Sequence, residues 1–206
     1  MTPSLAAGPS DTRPHRPQAP RQVMLFSGHM VDAPGRKEPR FPAGKVPAAA
    51  QRIAEVLDGL RAGPDDLALC QAAAGGDLLF LEACEPRSVR CEVLLPFGEP
   101  EFIRRSIEPV TGGAQWVARY HALRARLPQP PRFMTRELGP LAEGEDPFER
   151  CNRWLLDTAL AHGADKVHFV CLWNGGGGDG RGGTAHMVEQ VRAQGGQVHW
   201  IDTRTL

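Results

Sequence analysis

Three segments of this chain gather residue types suited to gripping an anion and a sugar. The first, residues 27–40, holds Ser27, Gly28, His29, Asp32, Arg36 and Arg40: a hydroxyl, an imidazole, a carboxylate and two guanidinium groups. A guanidinium fork matches phosphate oxygens two at a time, so Arg36 and Arg40 are candidates to clamp phosphate while Asp32 holds one of them in place. The competing reading is surface Arg–Asp pairing, which contributes little. The second is Gly75-Gly76-Asp77, where Asp77 either caps the following helix or accepts hydrogen bonds from ribose hydroxyls, with the glycines keeping the wall open. The third runs from Trp173 through Asn174 and a glycine-rich stretch to Gly182, Gly183 and Thr184. Glycine lets backbone approach a ligand, and a helix starting near Thr184 would turn unpaired N–H groups and partial positive charge toward an anion. A plain surface loop with Thr184 as N-cap is the alternative. Its position between an apolar strand and a helix favours the phosphate.

Other chemistries find less support. Gly178, Gly180 and Gly183 spell GxGxxG, and Asp202 follows 19 residues after Gly183 as a ribose-binding acid would. The first glycine, however, stands several residues past the strand end instead of in a tight turn, which argues against a conventional NAD dehydrogenase. GxxxxGK[ST] and GxSxG are both missing. Ser27 and His29 are two residues apart with no third group to make a triad. His121, His162, His168 and His199 sit singly in helical or strand patterns, so neither a metal site nor a cofactor is indicated. Cys70, Cys84, Cys91, Cys151 and Cys171 lack CxxC or CxxH spacing and read as buried free thiols of a cytoplasmic protein.

The elements that must position these loops alternate. Apolar runs at 22–30, 67–71, 91–97, 167–173 and 198–202 read as strands, and the loops of interest leave three of them. Between them fall helical patterns: one opened by Pro47 with Ala50, Ile53, Val56, Leu57 and Leu60 on one face, then 78–84, 101–108, 115–126 and 184–193. Asp146-Pro147-Phe148-Glu149 predicts a capping box that opens a helix ending at Gly163. Residues 98–144 are otherwise hard to read and end in a Pro-rich connector. Strands that are mostly continuous apolar runs, interleaved with helices, predict a single α/β domain: a three-layer, Rossmann-like fold with a mostly parallel sheet. Its ligand crevice should lie at the carboxyl ends of the strands.

At 206 residues the chain suits one domain. Residues 1–21, rich in Pro and poor in large apolar side chains, read as a disordered tail, leaving 22–206 as the domain. Lys plus Arg balance Asp plus Glu, so there is no global field to draw the protein onto nucleic acid. No apolar run approaches a membrane span or a secretory signal core. The oligomeric state, a homo-oligomer included, is left open.

Taken in order, Ser-Gly-His-Met-x-Asp-x-Pro-Gly-Arg with Pro-Arg-Phe-Pro, Gly-Gly-Asp-Leu-Leu-Phe-x-Glu-Ala, Leu-Pro-Phe and Gly-Gly-Thr-Ala-His-Met resemble a divergent branch of the SLOG superfamily. That superfamily includes lonely-guy phosphoribohydrolases, DNA-processing protein A, molybdenum-cofactor carriers and the sensor domains of TRPM channels. The resemblance covers residues 22–206. It implies a Rossmann-like domain that binds a nucleotide or nucleotide-derived ligand, an ADP-ribose-type compound or a nucleoside monophosphate, in a bacterial signalling setting. The loops before Asp77 and Thr184 would be its phosphate-side walls. Hydrolytic members carry Pro-Gly-Gly-x-Gly-Thr-x-x-Glu, and aligning their Thr with Thr184 puts Met187 where that Glu stands. A thioether cannot act as a base or steady an oxocarbenium ion. The expectation is therefore a sensor or carrier. The alternative is a hydrolase of the N-glycosidic or phosphoester bond using Glu82, Asp77 or Asp32 as its carboxylate.

Overall fold

Strand β1 (Val23–Gly28) sends Met24 and Phe26 into one apolar layer and Val23 and Leu25 into another, the period of two that a pleated strand imposes. A strand buried on both faces has no polar side to alternate with, hence the continuous apolar run. The same holds for β2 (Leu67–Cys70), the end of β3 (Arg90–Leu95) and β5 (Val167–Trp173). The computed structural model describes residues 19–176 and 183–206. In it these strands, with β4 (Arg132–Phe133) and β6 (Gln197–Asp202), form one six-stranded sheet in the order β4-β3-β2-β1-β5-β6, and every pairing is parallel.

Helices cover both faces, giving three layers. One apolar layer holds buried side chains of α1 (Val46–Gly59), α2 (Gly76–Cys84), α3 (Glu99–Ser106) and α4 (Gly113–Arg126). The other holds α6 (Pro147–Leu160) and α7 (Thr184–Ala193), with Met134 from the short α5 (Met134–Glu137). All five cysteines are free and buried in these layers. Among the described residues no helix is long and apolar enough to cross a membrane.

The departures from the sequence reading have local causes. The Pro-rich connector contains β4, two residues long and paired with Leu94 and Leu95 of β3, followed directly by α5. Two residues carry no detectable period. The tail read over 1–21 lies outside the described residues as far as 18, but its last residues already belong to the domain. Arg21 grips Asp66 at 2.7 Å, and Lys166 donates to the Pro20 carbonyl at 3.1 Å. Asp146 caps α6 by accepting from Phe148 N and Glu149 N, both at 2.8 Å. Glu149 does not complete the box; its carboxylate faces Arg153 at 3.8 Å.

Candidate functional site

Topology places the site before any side chain does. From β1 the chain steps outward to β2, β3 and β4, then returns to put β5 on the opposite flank of β1. Loops leaving β1 and β5 therefore diverge, and at such a switch point an open parallel sheet leaves a crevice beyond its carboxyl edge. A cleft of about 530 Å³ opens there, within the size of small-molecule sites.

Its floor is the end of β1. Gly28 is required because a Cβ would sit 2.9 Å from the Leu172 Cβ on the neighbouring strand. Ser27 Oγ lies 3.3 Å from Thr184 Oγ1, joining β1 to the first residue of α7. His29 Nε2 accepts from the Asn174 N–H at 3.2 Å, and the Asn174 Oδ1 accepts from Gly176 N at 3.1 Å. Ser27 and His29 thus look to different partners and form no dyad. Asn174 stands behind His29 and shapes the loop, outside the lining itself.

Asp32 organises the first loop. Its carboxylate accepts from Arg40 N at 3.0 Å and Phe41 N at 3.1 Å, and its Oδ1 lies 3.6 Å from Arg36 Nε. Phe41 and Val31 are buried on either side of this knot. The Thr203 hydroxyl, just past β6, donates to the Arg40 carbonyl at 2.8 Å and ties the loop to the far edge of the sheet. Arg36 and Arg40 both line the cleft. Asp32 is therefore a positioning group and not the free carboxylate a hydrolase would need.

The second loop corrects two expectations. Gly75 and Gly76 do not hold a wall open; they let two loops touch. Gly75 has φ +120°, and a Cβ there would meet Val31 N at 2.7 Å and His29 O at 2.8 Å, while Gly76 N donates to that same His29 carbonyl at 3.1 Å. The N-cap of α2 is Gly75, so Asp77 is not the cap. Its carboxylate instead folds back on the preceding turn, accepting from Ala73 N at 3.2 Å, a turn curled by Ala72 at φ 71°. Asp77 lines the cleft yet is only 6 % exposed, and burial pushes its carboxyl up from 3.8 to about 7.

The third loop reaches the cleft through Gly183 and Thr184, while Gly182 lies outside the described residues. Gly183 is the N-cap and Thr184 the first helical residue, one position later than a threonine cap would require. No side chain caps α7 among the described residues. Met187 is buried beside Val188 and Val191 against the sheet and takes no part in the lining. Glu82 is likewise outside the cleft, its Oε1 accepting from Arg119 Nε of α4 at 2.9 Å. Of the three carboxylate candidates Asp32 and Asp77 line the cleft, each accepting backbone N–H groups of its own loop, and Asp77 is the one whose carboxyl burial pushes up.

Sequence reasoning missed a whole wall. Arg105 and Ser106 end α3, and Phe148, Glu149 and Asn152 lie at the start of α6; all of them line the cleft. Arg105 sits over the rings of Phe97 and Phe148 at 4.8 and 5.1 Å, closing the end beyond β3. Gln71, directly after β2, reaches Asn152 at 2.6 Å. No motif marks these residues, because they converge only when α3 and α6 dock on opposite faces of one sheet. The lining carries three arginines against Asp32, Asp77, Asp146 and Glu149, so any anion must be held locally, near Arg36, Arg40 and the start of α7. A pair of histidines read singly also meets: His168 Nδ1 and His199 Nε2 lie 3.1 Å apart on β5 and β6, and burial lowers both pKa values. Among the described residues no group of three or more His, Cys, Asp or Glu side chains could hold a metal ion.

Fold and site together define a Rossmann-like α/β protein with a cleft of small-molecule size at its switch point. No protein-family model matches the chain, and no curated protein matches it.

Proposed function

We propose that the chain binds a nucleotide or nucleotide-derived ligand, of the ADP-ribose or nucleoside monophosphate type, as a sensor or carrier domain. One observation carries this reading: Arg36 and Arg40, held by Asp32, border the same cleft as the start of α7, which no described side chain caps. A cation pair and a helix N-terminus facing one space form an anion grip. The order of the loop motifs supports a place for the chain as a divergent SLOG branch. Its buried free thiols suit a reducing, cytoplasmic setting.

Thermal denaturation with mononucleotides, dinucleotides, cyclic nucleotides and ADP-ribose tests the reading. At a hundredfold its dissociation constant a ligand adds about 2.7 kcal/mol, which raises the melting temperature by roughly 5 to 10 °C in a domain of this size. Arg36→Ala or Arg40→Ala should weaken binding by about 1.5 to 3 kcal/mol. No shift with any compound at millimolar concentration removes the nucleotide reading. The hydrolase reading rests best on Asp77, the lining carboxylate whose raised pKa suits a general acid or base. Chromatographic release of base or phosphate over many turnovers, abolished by Asp77→Asn, would replace the sensor with an enzyme.

A further inference from the structure

Between the loop after β2 and helix α6 the cleft contains a polar corner that the anion grip does not use. Gln71 is 9 % exposed, and its amide is oriented by donation from Nε2 to the Asn152 Oδ1 at 2.6 Å. That orientation leaves Gln71 Oε1 with no donor among the described residues, although it belongs to a cleft-lining side chain. Beside it the Asp77 carboxyl is folded against the turn that begins at Gln71, with Ala73 N donating at 3.2 Å. Two acceptor side chains thus line one part of the cleft, and among the described residues no cation is paired with either. Phosphate would be repelled here; a neutral group bearing hydrogens would be held.

We infer that Gln71 and Asp77 form a subsite that reads hydrogen-bond donors on the uncharged part of the ligand. This rests on the nucleotide reading and sharpens it. Two sources supply such donors, the vicinal hydroxyls of a ribose and an exocyclic amine of the base. A bound ligand displaces water from these acceptors, and an acceptor covered without receiving a donor costs free energy, so a ligand lacking the group is rejected as well as less attracted. Burial holds the Asp77 carboxyl near 7, and a hydroxyl donated to it relieves that cost. The corner thus selects the sugar or base, while Arg36 and Arg40 bind whatever carries phosphate.

The test is calorimetric titration of the full chain with AMP and ADP, their 2′-deoxy and 3′-deoxy counterparts, and IMP and IDP. Gln71→Met, Asp77→Ala and Arg36→Ala are compared with the wild type, each first shown to unfold cooperatively. If the ribose is read, a deoxy analogue binds the wild type about tenfold or more weakly than its parent. Gln71→Met and Asp77→Ala then bring parent and analogue together, whereas Arg36→Ala weakens both equally. If the amine is read, the same convergence appears between AMP and IMP; either pattern supports the subsite and names its source. Wild-type affinities equal across all analogues, with Arg36→Ala still weakening each, overturn the subsite and leave the nucleotide reading standing. Discrimination that persists unchanged in both Gln71→Met and Asp77→Ala also overturns it. No binding of either parent compound overturns the subsite, and extending that failure to the whole thermal panel takes the nucleotide reading with it. Only the ratio between parent and analogue is diagnostic, since a purely structural role for Gln71 or Asp77 would leave it unchanged.

Discussion

Helices α2 and α7 begin alike in sequence, with Gly75-Gly76-Asp77 at the start of one and Gly182-Gly183-Thr184 at the start of the other, and both follow a buried strand at the same edge of the sheet. Their N-termini are used in opposite ways. At α2 the backbone of the first loop packs directly on the glycines, and the Gly76 N–H is taken by the His29 carbonyl. At α7 the N-cap Gly183 has an ordinary φ of −68°, no described side chain caps it, and the residue borders the cleft. The start of α6 shows a third solution, a helix closed by its own Asp146. Glycine at a helix start therefore permits close approach, and at α2 the fold shows that the approaching group is protein.

The contrast predicts its largest effect at Gly75. Gly75→Ala imposes a left-handed conformation on a side chain whose Cβ meets backbone at 2.7 Å. It should cost about 3 to 5 kcal/mol in urea unfolding, while Gly183→Ala changes stability by about 1 kcal/mol or less. Equal losses at the two glycines would dissolve the distinction. Next comes Met187, buried in the layer between α7 and the sheet. Met187→Glu inserts an unpaired carboxylate there and should destabilise by about 3 kcal/mol without creating hydrolysis. A stable variant that releases base would mean that α7 presents position 187 to the ligand.

Asp77 gives a smaller effect with a definite sign. Its native pKa is raised, so the folded state holds the proton more tightly than the unfolded chain. The stability it contributes is full below 3.8 and is lost as pH rises through about 7. Asp77→Asn should accordingly gain on the order of 2 kcal/mol over wild type at pH 8, with the advantage shrinking toward pH 4. His168 and His199, whose lowered pKa values give the opposite slope, titrate in both proteins and cancel in the difference. A difference independent of pH would show that Asp77 is better solvated than its burial indicates. The smallest effect is at α6, where Asp146→Ala should cost about 1 kcal/mol, the usual value of a lost cap. A much larger loss would show that this end also braces the wall carrying Phe148 and Asn152.

Most of the secondary structure was legible because its signals are local. Residues 167–173 and 184–193 are a strand and a helix with the bounds their pattern indicates, and Pro47 and Asp146 mark helix starts through their own backbone chemistry. The candidate site was legible only where glycine, arginine and aspartate cluster within one loop. Asp32 could be read as holding Arg36, since four residues separate them. Glu82 could not be removed from the site by sequence, because Arg119 lies 37 residues away on another helix.

What the sequence by itself determined is the alternation of apolar strands and amphipathic helices, hence a layered α/β domain, and the three loops that gather at one edge. These follow from periodicity and backbone propensity, which act over a few residues. Only the tertiary structure decided that Gly75 and Gly76 serve packing, that Met187 is core, and that Asp77 is desolvated while Glu82 is paired with Arg119. The docking of α3 and α6 likewise adds Arg105 and Asn152 to the cleft and brings Asn152 to Gln71. Burial and charge pairing depend on atoms brought together across the sheet from distant parts of the chain, and no local pattern of residues encodes that meeting.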